Sequence, residues 1–303
     1  MSTIETTIEA YHNLSYRGKT NDRLVGSWAM QKDGEQKMLE LHNYTMRVKN
    51  PNECILPYSR GHVGIITEFF DIALGLNPGF VHKQWPFYAD WLEGDKYPYS
   101  YGDIIKSQWD KVKEKLRKNP NTRHASIFCW DMACHDRDFV PCTHMFHFQM
   151  IDGKLCLTVT MRSQDAIKGW YLDSFLYCHL LCIMAGQLGL EVGHYTVFQH
   201  NIHVYPGDID LFAKRLIELE ECSGYNHCKI PPLTNDDYPA LLEALNYVYS
   251  EESLYSVDPL HRIESDYYKS LMALIYAYRW KEEPLGDLMV SPALKEWYKK
   301  VVA

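Results

Sequence analysis

The sequence lacks the features that mark membrane proteins, secreted proteins and proteins that coat nucleic acids. No apolar run reaches the roughly 18–20 residues needed to span a bilayer. The first residues, MSTIE, lack the basic-then-apolar pattern of a signal peptide. Acidic residues outnumber basic ones by 39 to 31, which gives a formal net charge of −8, so any phosphate must be bound by a local basic pocket. We predict a cytoplasmic protein without membrane or nucleic-acid partners.

Metal-binding and repeat signatures are also missing. The nine cysteines are an odd number, which in a chain without a signal peptide is typical of reduced thiols. No C-x-x-C pair of the kind found in zinc sites is present, and we predict no bound metal. There are no internal repeats or low-complexity tracts, and 46% hydrophobic and 23% charged residues are typical of a globular chain.

The hydrophobic periodicity predicts helices and strands in the first two thirds of the chain and helices thereafter. Helices are predicted at 5–18, 61–76, 106–118 and 173–188, and strands at 125–130, 145–151, 154–161 and 195–205. The Asp152-Gly153 pair is typical of a β-hairpin turn. Further helices are predicted at 209–221, 237–249, 265–281 and 292–302. This order favours an α/β (α+β) fold in which helices flank a mixed sheet.

The chemistry of the sequence centres on Cys142 and on Arg162, which follows about twenty residues later. A cysteine adds to an electrophilic carbon only as the thiolate, which a neighbouring cation favours. Arg162 is a permanent cation whose planar fork also suits phosphate oxygens. The pair therefore predicts a nucleophile beside an anchor for an anionic substrate, although each residue alone fits ordinary packing equally well.

The segments around these two residues resemble the thymidylate synthase family. Residues 162–169, RSQDAIKG, resemble its nucleotide-binding signature, and LEVG at 190–193 and His203-Val204-Tyr205 follow at the family's spacing. Four upstream segments resemble the family's phosphate loop, glutamate-bearing helix, tyrosine–glycine pair and phosphate-arginine turn, namely 21–23, 65–70, 101–102 and 119–123. The resemblance covers about residues 5–206. After Tyr205 only the last five residues, 299–303, resemble a family feature, the apolar tail that closes over folate.

The resemblance implies an organisation, an assembly and a set of ligands. It implies a thymidylate synthase-like catalytic core over 1–206 and a mostly helical C-terminal part over 207–303, packed on the same domain. It implies a symmetric homodimer packed through its sheets, in which Arg123 is donated to the partner's site. The implied ligands are a nucleotide monophosphate and 5,10-methylenetetrahydrofolate as the one-carbon co-substrate, with no metal.

The resemblance also implies a role for each matching residue. Cys142 would add to C6 of the pyrimidine and so make C5 a nucleophile. Glu68 would organise water and protons around the base, and Tyr101 would serve proton removal from C5. The 5′-phosphate would be held by Arg23, Arg123, Arg162 and Ser163, and the sugar 3′-hydroxyl by His203 and Tyr205. The folate side would include Asp165, Gly169 and Trp91, with Trp85 as a weaker candidate than Trp91.

One position decides which base the site would bind. The family's uracil-reading asparagine falls eleven residues after Arg162, where this chain has Asp173. An asparagine amide can donate to uracil O4, whereas a carboxylate only accepts, and so suits the cytosine 4-amino group and a protonated N3. Asp173, together with Thr143 after the nucleophile, resembles the phage deoxycytidylate hydroxymethylases of this family, which work in the host cytoplasm. The alternative is that Asp173 merely caps the helix that follows it.

Three hypotheses follow from these residues, the second of which has a related variant. The leading prediction is a deoxycytidylate (dCMP) 5-hydroxymethylase, in which folate leaves and water adds to the exocyclic methylene on C5. The second is a dCMP 5-methyltransferase with folate as hydride donor, and thymidylate synthase activity on dUMP is a related alternative. The third is a non-catalytic nucleotide-binding relative, which is disfavoured because a pure binder would not need Cys142, Glu68 and Tyr101 together.

Overall fold

A seven-stranded mixed sheet forms the centre of the fold. The computed structural model describes residues 3–25, 34–55, 62–137, 139–221, 229–234, 236–250, 258–280 and 286–302. The strands are β1 (Lys19–Val25), β2 (Gly34–Val48), β3 (Ser126–Phe128), β4 (Thr143–Ile151), β5 (Lys154–Met161), β6 (Gln164–Asp165) and β7 (Val192–Val204). Their order is β1-β2-β7-β5-β4-β3, and β6 pairs with β7. The pairings β5–β7 and β6–β7 are parallel, and the others are antiparallel.

Helices surround this sheet and fill the C-terminal third of the chain. They are α1 (Thr3–Arg17), α2 (His62–Leu74), α3 (Val81–Gln84), α4 (Tyr101–Lys118), α5 (Gly169–Leu188), α6 (Ile209–Glu220), α7 (Tyr238–Val248), α8 (Asp258–His261), α9 (Asp266–Trp280) and α10 (Pro292–Val302). The predicted α/β class, a mixed sheet flanked by helices, is confirmed. None of the helices in the described ranges combines the length and apolarity that a membrane crossing requires.

The strands β1 and β2 are the main elements that the periodicity does not predict. Polar residues dominate β2, and Asn43 within it has a positive φ of 52°. The strand is stabilised instead by its neighbours, since it pairs with β1 on one edge and with β7 on the other, from Leu39↔Val204 to Val48↔Tyr195. Tertiary pairing of this kind overrides local propensity.

Two helices begin earlier than the periodicity predicts, and both differences affect the site. Helix α4 begins at Tyr101, because the Ser100 hydroxyl caps it by accepting from the Asp103 backbone N–H at 3.4 Å. Helix α5 begins at Gly169, and its first turn is held by the buried side chains of Trp170 and Tyr171. Both starts therefore depend on local contacts that hydrophobic spacing does not report.

The C-terminal helices pack directly on α2 and α5, two of the helices that carry predicted site residues. Buried apolar side chains from Ile4 to Val301 form one continuous core. Helix α9 contacts α2, and the Tyr267 hydroxyl on α9 lies 2.8 Å from His179 Nε2 on α5. The Tyr249 hydroxyl, just after α7, lies 2.8 Å from Thr67 Oγ1 on α2. These contacts support the helix that carries Glu68.

The chain end is packed into this core rather than left as a tail. The Trp297 side chain on α10 is fully buried and stacks on the His62 ring at a centroid distance of 3.9 Å. Residues 299–302 form the last part of α10, and the Val301 side chain is buried. The expected apolar closing tail is therefore wrong for residues 299–302, because α10 packs on the core, and Ala303 lies outside the described residues.

Candidate active site

A cavity of about 440 Å³ gathers residues from the ends of several strands and from the first turns of α5. All the predicted site residues except Arg23 and Arg123 line it, namely Glu68, Trp91, Tyr101, Cys142, Arg162, Ser163, Asp165, Gly169, Asp173, His203 and Tyr205. Its volume falls within the range of small-molecule sites. The fold thus brings together residues that lie up to 137 positions apart, from Glu68 to Tyr205.

Strand register brings Cys142 and Arg162 together. The antiparallel strands β4 and β5 pair Thr143 with Met161. Cys142, which precedes Thr143, and Arg162, which follows Met161, are therefore neighbours. The Arg162 backbone N–H donates to the Cys142 carbonyl at 2.8 Å. The Arg162 guanidinium donates to the carbonyls of Pro141 and Val140 at 3.1 and 3.2 Å, and so holds the segment before the cysteine.

The electrostatic balance at Cys142 differs from the simple expectation of a thiolate activated by Arg162. Burial raises the pKa of the Cys142 thiol above its ordinary value, Arg162 acts in the opposite direction, and Asp173 and Asp165 add to the increase. The thiol form is therefore favoured in the protein without ligands. Arg162 is the charged group that limits this increase in the pKa of Cys142.

Asp173 lies inside α5 and does not cap it. The helix begins at Gly169 with Lys168 as its N-cap residue, so the cap interpretation of Asp173 is wrong. One carboxylate oxygen of Asp173, Oδ2, accepts from the Gln164 amide Nε2 at 2.6 Å, and Tyr177 also hydrogen-bonds this carboxylate. Burial raises the pKa of Asp173 to about 6. At neutral pH the side chain is thus a mainly ionised acceptor on the cavity wall.

A chain of hydrogen bonds leads from Asp173 to the other side of the cavity. The Tyr177 hydroxyl lies 2.6 Å from Thr143 Oγ1, and the Thr143 backbone N–H donates to the Tyr101 hydroxyl at 3.2 Å. Burial raises the pKa of Tyr101 well above the ordinary phenol value. Tyr101 is therefore a neutral phenol, held next to Thr143, the residue that follows Cys142.

Helix α2 contributes a second acidic group that the sequence motifs do not indicate. Burial raises the pKa of Glu68 to about 8, with further increases from Asp173 and Asp71. Burial likewise raises the pKa of Asp71 to about 7, although its Oδ2 accepts from the backbone N–H groups of Phe80 and Val81. The Tyr88 hydroxyl donates to Glu68 Oε2 at 3.3 Å. An aspartate three residues after Glu68 in an apolar helix is the signal that would have found Asp71.

The short strand β6 aligns the remaining polar residues. Its parallel pairing with β7 places Asp165 opposite His203. The Ser163 hydroxyl lies 3.4 Å from His203 Nδ1, which also lies 2.8 Å from Asn201 Oδ1. Asp165 Oδ1 accepts from the backbone N–H groups of Ile167 and Lys168 at 2.7 and 3.0 Å, which fixes its carboxylate at the cavity wall.

Aromatic rings and two further cations complete the lining. The ring centroids of Tyr88 and Trp91 lie 4.6 Å apart, and those of Tyr88 and Trp85 lie 5.9 Å apart. Both tryptophans therefore line the cavity. Lys168, paired with Asp208, and Arg215, paired with Glu218, line it as well, although the motifs assign them no role.

The two remaining predicted phosphate ligands lie elsewhere. Arg123 is exposed in the turn after α4 and does not line the cavity of its own chain. Arg23 lies in β1 opposite Gln36, and its side chain lies outside the described part of the chain. Within the described ranges, no group of three or more histidine, cysteine, aspartate or glutamate side chains could hold a metal ion.

Comparison with known proteins gives a consistent family match. The family model described as thymidylate synthase matches residues 68–230. A putative thymidylate synthase of Methanothermobacter thermautotrophicus is 30% identical over 122 residues, which are 38% of this chain and 55% of that protein. The thymidylate synthase of Fusobacterium nucleatum is 31% identical over 158 residues, 50% of this chain and 56% of that protein. The thymidylate synthase of Streptococcus mutans is 28% identical over 159 residues, 48% of this chain and 57% of that protein. The chain thus spans about half the length of the curated relatives that it matches.

The relation between Cys142 and Arg162 predicts a pH-dependent reactivity. Replacing Arg162 by Met removes the cation that opposes the increase in the Cys142 pKa, so less thiolate forms at a given pH. Alkylation of Cys142 by iodoacetamide, followed by peptide mass spectrometry, should be roughly tenfold slower near neutral pH, with its pH midpoint at higher pH than in the wild type.

The pH midpoint of alkylation decides the test, and the rate does not. Arg162 also holds the Pro141 and Val140 carbonyls, so its loss changes access to the sulfur and with it the rate. Arg117→Met, at an exposed arginine paired with Glu114 on α4, is the matched control and should leave the midpoint in place. An unchanged midpoint in Arg162→Met would contradict this account of the thiol.

Proposed function

The chain belongs to the thymidylate synthase family, and we propose that it transfers a one-carbon unit from 5,10-methylenetetrahydrofolate to C5 of dCMP, giving 5-hydroxymethyl-dCMP. The observation that carries the proposal is Asp173, a partly buried acceptor on the wall of the cavity that also contains Cys142. The named relatives are thymidylate synthases, so the choice of cytosine depends on this residue.

Asp173 favours cytosine through the direction of its hydrogen bonds. An ionised carboxylate accepts at both oxygens and suits the 4-amino group of cytosine, whereas uracil presents the O4 acceptor at the same place. A mismatch between two buried acceptors costs about 1–3 kcal/mol, and more where one of them is charged. The hydrogen bond from Gln164 and that with Tyr177 support the ionised form of Asp173.

Cys142 supplies the covalent step. Its thiolate forms a bond to C6, the C5–C6 double bond opens, and the electron pair makes C5 an enamine-like nucleophile. Protonation of N3 then makes the ring a donor toward the Asp173 carboxylate. Arg162 and Ser163 would hold the 5′-phosphate on one side of the cysteine, and His203 and Tyr205 would hold the 3′-hydroxyl.

The cavity fits a folate beside the nucleotide. Trp85, Tyr88 and Trp91 form an aromatic wall against which a flat bicyclic ring can stack. The Asp165 carboxylate is a fixed acceptor for ring N–H groups, and Gly169 packs closely beside it, since a Cβ added there would lie 3.4 Å from Asp165 Cβ. When bound there, the folate would supply the one-carbon unit that C5 attacks.

Space for bound water next to Glu68 favours the hydroxymethyl product. A second cavity of about 220 Å³ shares Glu68, Tyr101 and Cys142 with the first and extends to Asp71 and Tyr97. Asp71 Oδ1 and the Tyr97 hydroxyl are buried without a hydrogen-bond partner among the described protein atoms. Buried polar atoms of this kind are typically satisfied by ordered water.

The Glu68 carboxyl is suited to using that water. With a pKa raised to about 8, it is close to the neutral range in which a group both takes and returns a proton readily. Once C5 has lost its proton and folate has left, water activated there would form the new C–O bond at the exocyclic carbon of the C5=CH2 group, and its proton would pass to Glu68. The electron pair of the opened double bond would then restore the C5–C6 double bond and expel the Cys142 thiolate from C6. The dCMP methyltransferase alternative requires hydride to reach the same carbon before this water does.

A second copy of the chain would complete the phosphate site. Arg123 is exposed, and two apolar side chains beyond it are also exposed, Phe128 by 58% and Met132 by 80%. Exposed apolar groups of this size are typical of a protein interface. We propose a homodimer in which Arg123 enters the partner's site, and a cytoplasmic location for this enzyme.

The function is tested by incubating the protein with methylenetetrahydrofolate and, separately, dCMP, CMP or dUMP, followed by mass spectrometry of the nucleotide. We expect dCMP to gain CH2O, because Asp173 selects cytosine and the second cavity, beside Glu68, supplies water. A gain of CH2 would support the methyltransferase instead. Conversion of dUMP alone would contradict the proposal.

The dimer is tested by complementation between two inactive variants. Arg123→Ala damages the partner's phosphate site, and Cys142→Ala removes the nucleophile from its own site, so each homodimer should be inactive. After subunit exchange, a heterodimer contains one site with both defects and one with neither, so about a quarter of the wild-type activity should return at equal mixing. Lack of recovery despite exchange proven by native mass spectrometry would place Arg123 outside the partner's site.

A further inference from the structure

Gln164 lies on β6 between the phosphate-side residue Ser163 and the folate-side residue Asp165, yet no motif gives it a role. Its side chain is 2% exposed and lines the main cavity. Its Nε2 donates to Asp173 Oδ2 at 2.6 Å, a short contact for an N–H donor to a carboxylate. Gln164 is therefore in direct contact with the residue on which the choice of base depends.

The chemistry of the contact fixes which way round the amide lies. If the amide were rotated, its oxygen would face the Asp173 carboxylate and place two acceptors against each other. With Nε2 on Asp173, the other end of the amide, Oε1, is buried and has no hydrogen-bond partner among the described atoms. A buried acceptor without a donor costs about 1–3 kcal/mol, and an apolar residue would avoid that cost. Packing alone therefore does not account for glutamine at this position.

The surroundings keep the amide in place. The pairing of β6 with β7 fixes the Gln164 backbone opposite Ile202. On the other side, Gly169 approaches so closely that a Cβ added there would lie 3.0 Å from Gln164 Nε2 and 3.9 Å from Asp173 Oδ2. The Gln164–Asp173 pair is thus held between a strand and the first turn of α5.

We propose that Gln164 is a positioning residue for base selection, which orients Asp173 as an ionised acceptor so that the site discriminates cytosine from uracil. A protonated Asp173 would have an O–H that can donate to uracil O4, and it would lose much of its discrimination. The Gln164 amide stabilises only the ionised form, because it donates to the carboxylate. This inference rests on the proposed function, since it concerns the same base.

The test compares kcat/KM for dCMP and for dUMP in the wild type and in Gln164→Met. Methionine has a similar length and is unbranched, so it fits the site with little strain, but it cannot donate to Asp173. We expect the dCMP/dUMP ratio to fall by about tenfold near neutral pH. Loss of the donor also raises the pKa of Asp173. As the pH is lowered, the variant should therefore lose its discrimination between the two bases at a higher pH than the wild type does.

The ratio separates this effect from others at the site. Several titratable groups interact electrostatically with Asp173. They are Glu68 on α2, Tyr88 in the segment after α3, Tyr101 on α4, Cys142 just before β4, Asp165 on β6, Tyr177 on α5 and Tyr195 on β7. These groups remain in every variant and act on both substrates, so the ratio reports the change at Gln164. A purely structural defect would lower both values of kcat/KM together.

A matched control and an independent variant complete the design. Gln199 on β7 is also a fully buried glutamine, and its Oε1 has no partner in the part of the chain that the structure describes, but its Nε2 contacts Met46 Sδ. Gln199→Met should therefore leave the ratio within about twofold. Gly169→Ala should lower the ratio in the same direction as Gln164→Met, because the new Cβ displaces the amide. That variant tests the proposal even if Gln164→Met does not fold, since alanine is favourable in a helix.

The outcomes distinguish this inference from the proposed function. If the wild type prefers dUMP, the proposed function is wrong. If the wild type prefers dCMP but Gln164→Met and Gly169→Ala keep its ratio and its pH profile, the inference alone is overturned. In an Asp173→Asn background, Gln164→Met should change the ratio no further, and an additional independent change would show that Gln164 does not act through Asp173.

Discussion

The register of two strand pairs, β4 with β5 and β6 with β7, determines where nearly every part of the site lies. Pairing of β4 with β5 sets Cys142 beside Arg162. Parallel pairing of β6 with β7 sets Asp165 beside His203 and turns the chain into the first turn of α5. A slip of one residue in either pairing would reverse the faces of the side chains involved. The places of Cys142, Arg162 and Asp173, the proposed nucleophile, phosphate anchor and base-reading residue, therefore depend on the backbone hydrogen bonds of these two pairings.

Loss of solvent around several acids in the two adjoining cavities governs the electrostatics of the site. Glu68, Asp71 and Asp173 all have pKa values raised by loss of solvent, to about 8, about 7 and about 6 respectively. These differences suit different tasks: Glu68 can exchange protons near neutral pH, whereas Asp173, with its hydrogen-bond donors, is ionised. The same burial raises the pKa of the Cys142 thiol, which makes the nearby Arg162 cation more important than its phosphate role alone would suggest.

Local sequence signals predict those parts of the molecule that depend on short-range patterns. The β4–β5 hairpin with its Asp152-Gly153 turn and the apolar helix α5 are examples, and the motif spacing predicts the cavity residues from Cys142 to Tyr205. The polar strand β2 and the early start of α5 depend on tertiary contacts and escape a periodicity analysis. Tyr88 and Gln164 escape the motifs because their relation to Glu68 or Asp173 exists only in three dimensions, whereas Asp71 is indicated by its place three residues after Glu68 in an apolar helix. The positions of Arg23 and Arg123 relative to a bound phosphate remain predictions.

The central claim is that Asp173 reads cytosine, and exchanging its carboxylate for an amide of the same size tests it most directly. The measurement is the ratio of kcat/KM for dCMP to that for dUMP in the wild type and in Asp173→Asn. The amide N–H2 can meet uracil O4, so the account predicts that a wild-type preference for dCMP falls or reverses, by roughly ten- to several-hundred-fold. An unchanged ratio in a folded Asp173→Asn protein would contradict the claim that this residue selects the base.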